Sequence, residues 1–210
     1  GNESIGTNSL GITWLWNPTN VVASPYSGLV DLSWSATQPT QYVKEYRVYT
    51  SATPFTQVDG MSAVSTSKTL AVSVTGLQND IAYWFGVAAV NLAGGMDPNV
   101  ATASATPRPD TDGPALSNVR FENVSLTNGY IAQHPGTIWL TATDRAGLAG
   151  ATAWIDGISR PMTVSGSTNF SWFWNVAAET DGWHQVELRV SDSLGNITAL
   201  TNAVLIGLAA

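Results

Sequence analysis

The sequence contains no cysteine and unusually little charge. With no Cys, disulfide bonds and thiolate metal sites are excluded. Charged residues make up 11% of the 210 residues, compared with about 25% in a typical globular domain. Basic residues are scarce, because 8 Lys and Arg stand against 15 Asp and Glu, which gives a formal net charge of −7. Nucleic acids and anionic membrane surfaces bind basic patches, so neither is expected as a partner.

The sequence also lacks a long apolar run and a helical repeat. No apolar stretch reaches the roughly 18 residues that a membrane-spanning helix needs, so we expect no membrane insertion. No signal peptide is visible, and the chain starts with Gly1 rather than Met. We therefore expect either a fragment of a larger chain or a mature ectodomain from which the export signal has been removed. No window shows a convincing period of 3.6 residues, which argues against helices.

Short runs of alternating apolar and polar residues take the place of helical patterns. Each run is bounded by Gly, Pro, Asn or Asp, as expected for β-strands separated by turns. A hydrophobic content of 44% is sufficient for folded cores. We therefore predict an all-β chain, with strands in residues 28–36, 42–51, 69–75, 82–91, 100–106, 116–123, 137–143, 151–156, 169–175, 185–191 and 197–206.

A proline-rich stretch divides the chain. Residues 106–114 contain three prolines, which forbid a continuous hydrogen-bonded ladder and mark a hinge with few contacts across it. The length fits two domains of about 100 residues. We predict an N-terminal segment at 1–17, which is either an added edge strand or the end of a preceding module, and domains at 18–107 and 108–210.

The predicted domain at 18–107 resembles a fibronectin type III domain. The matching segments are Leu32-Ser-Trp34, Tyr46-Arg-Val-Tyr49, Gly76-Leu77 and Tyr83-Trp-Phe-Gly-Val-Ala-Ala-Val-Asn91. The resemblance implies that Trp34 is a buried core residue and that the Tyr83 hydroxyl is bonded to upstream backbone. The Arg-Gly-Asp sequence of some family members is absent from residues 92–98, so integrin binding is not implied.

The predicted domain at 108–210 resembles a bacterial immunoglobulin-like domain. The matching segments are residues 110–114, 141–147, 154–157, 170–172, 181–184 and 191–196. This likeness rests on turn and strand residues, so it implies a fold more than an activity. Together the two resemblances imply two tandem β-sandwich domains of a kind found in large secreted and cell-surface bacterial proteins.

Catalytic patterns are missing from the sequence. There is no Cys nucleophile, no Gly-x-Ser-x-Gly elbow, no His-Glu-x-x-His pair and no phosphate-binding loop. His134 precedes a proline, and no spacing indicates a partner for it. His184 shares its strand face with Val186 and Leu188, so it is expected to be a partly buried structural residue. We predict that the chain is not an enzyme.

Outward-facing aromatic residues are the first candidate contact surface. Strand alternation places Arg47, Tyr49 and Trp84 on the outward face of the first domain, and we call this set the Trp84 platform. Such a platform stacks on sugar rings or anchors a protein contact. Alternatively, Trp14 and Trp16 fold over this face and bury it. In the second domain Trp154 is a further candidate, and Trp139 and Trp183 also have outward parity.

Carboxylates at the start and in the loops of the second domain are the second candidate site. Immunoglobulin-like topology brings the first strand's start near two other loops, and these positions hold Asp110, Asp112, Asp144, Asp192 and Asn196. Clustered oxygen ligands suit Ca²⁺, which would stiffen the hinge. Alternatively, these side chains only form turns and bond to nearby backbone. No cofactor is required by either interpretation.

Two functional hypotheses follow from these features. The first is a non-catalytic extracellular or cell-surface bacterial protein for adhesion, spacing or ligand binding, with a protein or polysaccharide as the partner. The second is an accessory region of a larger secreted enzyme or toxin that places a catalytic domain on a polysaccharide. In the second case the outward aromatics would form the binding surface.

Overall fold

A computed structural model describes residues 15–207 of the chain. It divides into two compact units, Gly1–Pro109 and Asp110–Ala210, which we call the N-terminal and C-terminal units. Within the described residues, no helix has the length and apolar character needed to cross a membrane. The N-terminal segment predicted at residues 1–17 lies mostly outside the described residues, and Leu15 and Trp16 belong to no strand.

The N-terminal unit is a β-sandwich. One sheet has the order β1-β2-β5 and the other β4-β3-β6-β7, with antiparallel pairing throughout. A 3₁₀ turn at Thr40–Tyr42 precedes β3. The strands are β1 (Val22–Tyr26), β2 (Leu29–Ser33), β3 (Val43–Ser51), β4 (Ser65–Ser67), β5 (Ala71–Thr75), β6 (Tyr83–Asn91) and β7 (Thr102–Ala105).

The main core of this unit lies between its two sheets. Val30 and Leu32 of one sheet pack in the same cluster as Phe85 and Val87 of the other. Trp34 is buried in this cluster, and its ring meets Tyr46 edge-on with centroids 5.4 Å apart. The prediction for Trp34 is therefore confirmed.

The turn before β6 has the predicted tyrosine arrangement. The backbone N–H of Gln78 donates to the hydroxyl of Tyr83 over 3.1 Å, and the Tyr83 ring packs against the main core. This bond ties the start of β6 to the turn five residues upstream, as the resemblance implied.

The C-terminal unit is a second β-sandwich, with sheets ordered β10-β17-β16-β12-β13 and β14-β15-β11-β8-β9. Only the β10–β17 pair is parallel among the strand pairs of the described chain. A 3₁₀ turn at Val176–Ala178 precedes β16. The strands are β8 (Ala115–Phe121), β9 (Val124–Ser125), β10 (Tyr130–Ala132), β11 (Gly136–Thr143), β12 (Leu148–Ile155), β13 (Ile158–Pro161), β14 (Thr163–Ser165), β15 (Asn169–Trp174), β16 (Gly182–Asp192) and β17 (Ile197–Ile206).

Strict alternation builds the core of the C-terminal unit. Along β11 and β16 every second side chain is buried, and these inward residues of the two sheets form one cluster. Trp174 is fully buried there and meets Phe121 edge-on, with ring centroids 6.3 Å apart. The remaining side chains of β11 and β16 face outward, where contact surfaces can form.

Candidate functional site

The predicted Trp84 platform is not an open surface at its centre. Tyr49 has the predicted outward parity, but it is only 2% exposed. A small second core with Val58, Ala88 and Val100 covers it, with Phe55 packed alongside. The prediction of an exposed Tyr49 is therefore wrong, because a loop beyond the strand folds back over the sheet face.

Glycine at position 86 allows this cover to approach the sheet. A Cβ added to Gly86 would lie 2.7 Å from Cγ2 of Val100 and 2.9 Å from Cε2 of Phe55. Both distances are shorter than ordinary side-chain contact. The side-chain hydroxyl of Tyr49 lies 3.4 Å from the sulfur of Met96, which closes the same cluster. This face of the sheet is therefore covered by packed side chains and does not offer an open surface to a ligand.

The other two members of the Trp84 platform lie apart. Arg47 pairs with Ala88, whereas Trp84 pairs with Ser51. The two positions are therefore four residues apart along β3, roughly 13 Å at about 3.3 Å per residue. Arg47 donates from Nε to Oε1 of Glu45 over 3.1 Å. The structure does not bring Arg47 and Trp84 together.

The structure tests the alternative cover for this face only at Trp16. Trp14 lies outside the described residues, and Trp16 is 73% exposed. Trp16 therefore does not bury the sheet face. Its neighbour Leu15 is instead buried in the main core of the N-terminal unit.

Trp154 in the C-terminal unit has an occupied ring face. It lies on the outward side of β12, and the guanidinium carbon of Arg189 lies 4.6 Å from its ring centroid. Arg189 in turn donates to both carboxylate oxygens of Glu187, over 2.8 and 3.0 Å. This places a cation against one face of the Trp154 ring. Binding at Trp154 stays a prediction.

Three of the five predicted calcium ligands come together. One carboxylate oxygen from each of Asp110, Asp144 and Asp192 lies within 4.8 Å of the others. Asn196 joins them through Nδ2, which donates to Oδ2 of Asp192 over 2.8 Å and to the Asp110 carbonyl over 3.2 Å. Asp112 contributes only its backbone N–H, which donates to Oδ1 of Asp110 over 3.1 Å.

The buried member of this cluster is already bonded to the protein. Oδ1 of Asp192 accepts the backbone N–H groups of Leu194 and Asn196, over 2.9 and 2.8 Å. Burial raises the pKa of Asp192, but these hydrogen bonds and that from the Asn196 side chain outweigh it, so the pKa lies below its usual value. Calcium binding at the cluster stays a prediction.

The two histidines are held by structural contacts. His184 is 6% exposed, as predicted for a residue that shares a strand face with the core. Its Nδ1 lies 2.6 Å from Oδ2 of Asp156, and its Nε2 lies 2.8 Å from the carbonyl oxygen of Thr180. His134 is exposed, and its Nδ1 lies 3.1 Å from the carbonyl of Pro135. Between residues 15 and 207, neither imidazole bonds to a hydroxyl nucleophile.

A polar groove on the C-terminal unit was not predicted as a site. It has a volume of about 420 Å³ and lies on the outward face of β8 and β11. We call it the Trp139 groove and define it by five of its lining residues. These are Asn118, Arg120, Trp139, Thr141 and Asn169. Sequence alternation places Trp139 outward, and Thr141 has the same parity on β11. The positions of Asn118, Arg120 and Asn169 beside them depend on how separate strands pair.

Hydrogen bonds fix the polar side of the Trp139 groove. Oγ1 of Thr141 donates to Oδ1 of Asn169 over 2.9 Å, and Nδ2 of Asn118 lies 3.5 Å from the same Oγ1. On the other side, the guanidinium carbon of Arg120 lies 5.5 Å from the Trp139 ring centroid. The groove thus combines an aromatic ring with amide, hydroxyl and guanidinium groups.

Curated proteins with similar sequences include two polysaccharide-degrading enzymes by name. The chain is 28% identical to Chitinase A1 of Niallia circulans over 185 residues, which is 86% of this chain and 24% of that protein. It is 27% identical to Exoglucanase B of Cellulomonas fimi over 177 residues, which is 82% of this chain and 15% of that protein. The chain therefore spans less than a quarter of either relative. No family model matches the chain.

Solved structures that resemble the chain include fibronectin type III modules. The fibronectin(III)-like modules of Clostridium thermocellum CbhA are 15% identical with a TM-score of 0.37, over 93% of this chain and 95% of that one. The structure of FN3tt is 25% identical with a TM-score of 0.37, over 46% of this chain and 98% of that one. The fold described above rests on the strands and cores of the chain itself.

Proposed function

We propose that this chain is a non-catalytic accessory region of a larger secreted enzyme that acts on a polysaccharide. The observation that carries the proposal is the sequence similarity to Chitinase A1 and Exoglucanase B. The match covers 86% and 82% of this chain but only 24% and 15% of those proteins. A segment of similar sequence thus occurs in two enzymes whose names denote different polysaccharide substrates, which fits a shared supporting part better than a shared catalytic site.

The side chains of the described residues agree with a supporting role. Acid–base catalysis needs a titratable group that can reach a substrate. His184 is instead enclosed between Asp156 and Thr180. The acidic cluster around Asp192 is held by loop hydrogen bonds. The chemistry is therefore assigned to another part of the parent protein.

The two β-sandwich units would perform this supporting role as rigid spacers. Each has its own core, so each can bear load and hold its surface loops in fixed positions. A pair of such units spaces or positions a catalytic domain at a polymer surface. We further assign the N-terminal unit to the fibronectin type III type, supported by Trp34 and the Tyr83 corner, and the C-terminal unit to an immunoglobulin-like type. The proposed location is extracellular, where polymeric substrates are found.

Adhesion to a cell surface is the competing function. It is compatible with tandem sandwiches, but the Trp84 platform that supported a generic contact surface is closed at Tyr49. The sequence similarity to two polysaccharide-degrading enzymes favours the accessory function instead.

The test compares the chain with the full-length gene product. Release of reducing sugar from chitin and from cellulose is measured for both. We expect the full-length product to degrade one of these polymers and the isolated chain to degrade neither. Sugar release by the isolated chain would overturn the non-catalytic assignment, and a full-length product without any glycosidase activity would overturn the accessory role.

A further inference from the structure

The Trp139 groove lies on a sheet face that presents a continuous row of side chains. Register places Ser125 opposite Arg120, Arg120 opposite Trp139, and Trp139 opposite Ser171. These residues come from four adjacent strands, β9, β8, β11 and β15, so the row crosses most of the sheet. Adjacent strands are about 4.8 Å apart, and the surface is therefore elongated. We propose that this face binds a neutral polysaccharide chain, an inference that rests on the proposed function.

A β-bulge shapes the polar end of the groove. The pairing of β8 with β11 shifts between Trp139 and Thr141. Asn118 lies on β8 at this point with a φ of 50°, a left-handed conformation that Asn adopts more readily than most residues. Bulges re-aim side chains, and here the Asn118 amide comes to lie beside Thr141 rather than simply alternating along the strand.

A second aromatic residue extends the surface. Phe173 is 61% exposed and pairs with Thr137, two positions along β11 from Trp139. It is therefore a diagonal neighbour of Trp139 on the same face, at about 7–8 Å between backbone positions. Two aromatic side chains at this spacing can contact consecutive parts of an extended ligand. A small compact ligand would contact only one of them.

The polar groups match the hydroxyl-bearing edge of a sugar ring. Asn169 accepts the Thr141 hydroxyl through Oδ1. Its Nδ2 protons have no acceptor in the described part of the chain, so they can donate to a ligand. Pyranose rings combine an apolar C–H face, which stacks on an aromatic ring, with hydroxyls that bond to amides. This combination of an aromatic ring and a few placed polar groups is that of a ligand site.

Charge favours a neutral polymer over a charged one. Among the described residues that line the groove, Arg120 is the only charged side chain. Its guanidinium is engaged over the ring of Trp139, and no second cation lies in the lining to bind an acidic polymer. The lining also carries no carboxylate, so no negative charge in it attracts a basic peptide.

The test measures depletion of the 210-residue chain from solution by insoluble chitin, by microcrystalline cellulose and by immobilised alginate. We expect binding to chitin or cellulose that persists at high salt, since neutral ligands are not screened. Trp139→Ala and Phe173→Ala should each weaken binding about tenfold, the effect of losing an aromatic anchor. Asn169→Ala should weaken it by a smaller factor without changing the core.

The matched control is Trp183→Ala on the opposite sheet. Trp183 is 63% exposed and lies outside the groove, so its loss should leave binding unchanged. Equal binding by wild type and Trp139→Ala would overturn the inference, as would binding to alginate alone that salt abolishes. Absence of binding to all three polymers would overturn it as well. The proposed function does not depend on these results, because it is tested separately by sugar release from the full-length product.

Discussion

Nδ1 of His184 lies 2.6 Å from Oδ2 of Asp156, while Nε2 of the same ring lies 2.8 Å from the carbonyl oxygen of Thr180. Both acceptors are oxygen atoms, so the ring satisfies them best when both nitrogens carry a proton. Burial lowers the pKa of His184. The bonds to Thr180 and Asp156 and the charges of Asp156 and Glu179 more than offset that effect, and the pKa lies above its ordinary value.

This relationship predicts a pH-dependent stability of the C-terminal unit. A group with a higher pKa in the folded state adds stability that is complete below its unfolded pKa, about 6.5 for His. That stability is lost as pH rises through the folded pKa of His184. We expect the melting temperature of the unit to fall as pH rises from about 6 into the alkaline range. Thermal unfolding at a series of pH values measures this.

His184→Gln is the control for the pH effect. Glutamine cannot titrate, so the fall in melting temperature over this range should disappear in the variant, which should also be less stable at low pH. If wild type and His184→Gln showed the same pH profile, another group would have to account for it.

Gly86→Ala is expected to destabilise the N-terminal unit by about 1–3 kcal/mol, the usual cost of overpacking. The added methyl group would meet Val100 and Phe55 at 2.7 and 2.9 Å. Denaturant unfolding measures the change. The matched control is Gly150→Ala in strand β12, where nothing lies within 4 Å of the added carbon. A similar loss in both variants would show that packing over Tyr49 is not the cause.

Asp192→Asn is expected to lower the melting temperature of the C-terminal unit. The carboxylate accepts two backbone N–H groups through Oδ1 and the Asn196 amide through Oδ2, and an asparagine side chain must place a donor at one of these positions. Because hydrogen bonds lower the pKa of Asp192, its contribution is present above about pH 4 and is lost on acidification. The difference in melting temperature between variant and wild type should therefore be smaller at acidic pH than at neutral pH. A difference that stays constant with pH would contradict this account of the loop.

The same melting experiment addresses the calcium prediction. If Ca²⁺ binds Asp110, Asp144 and Asp192, millimolar calcium should raise the melting temperature relative to a chelator, and Asp144→Asn should remove the increase. An unchanged melting temperature would leave the cluster with a purely structural role in the turn.

The longer strands could be predicted from alternation and turn residues. The predicted strand at 197–206 coincides with β17, and that at 82–91 with β6 except for one residue. Six strands were not predicted, because each is short and lies at a sheet edge: β1, β4, β9, β10, β13 and β14. Such strands depend on the ladder of their neighbour, and β1 also contains Pro25, which is tolerated at an edge.

The candidate sites were less predictable than the fold. Alternation placed Tyr49 on the correct face of its strand, but it contains no information about the distant segment that covers that face. The Trp139 groove depends on register between strands far apart in sequence, including a bulge beside Asn118. The proximity of Asp110, Asp144 and Asp192 could be predicted, because sandwich topology brings strand ends together.

The most direct test of the accessory function is deletion of this 210-residue segment from the full-length gene product. Hydrolysis is then compared on an insoluble polysaccharide and on a soluble oligosaccharide of the same sugar. We predict a several-fold lower rate on the insoluble polymer and an unchanged rate on the oligosaccharide. Loss of activity on both substrates, or on neither, would contradict a role in positioning the catalytic domain.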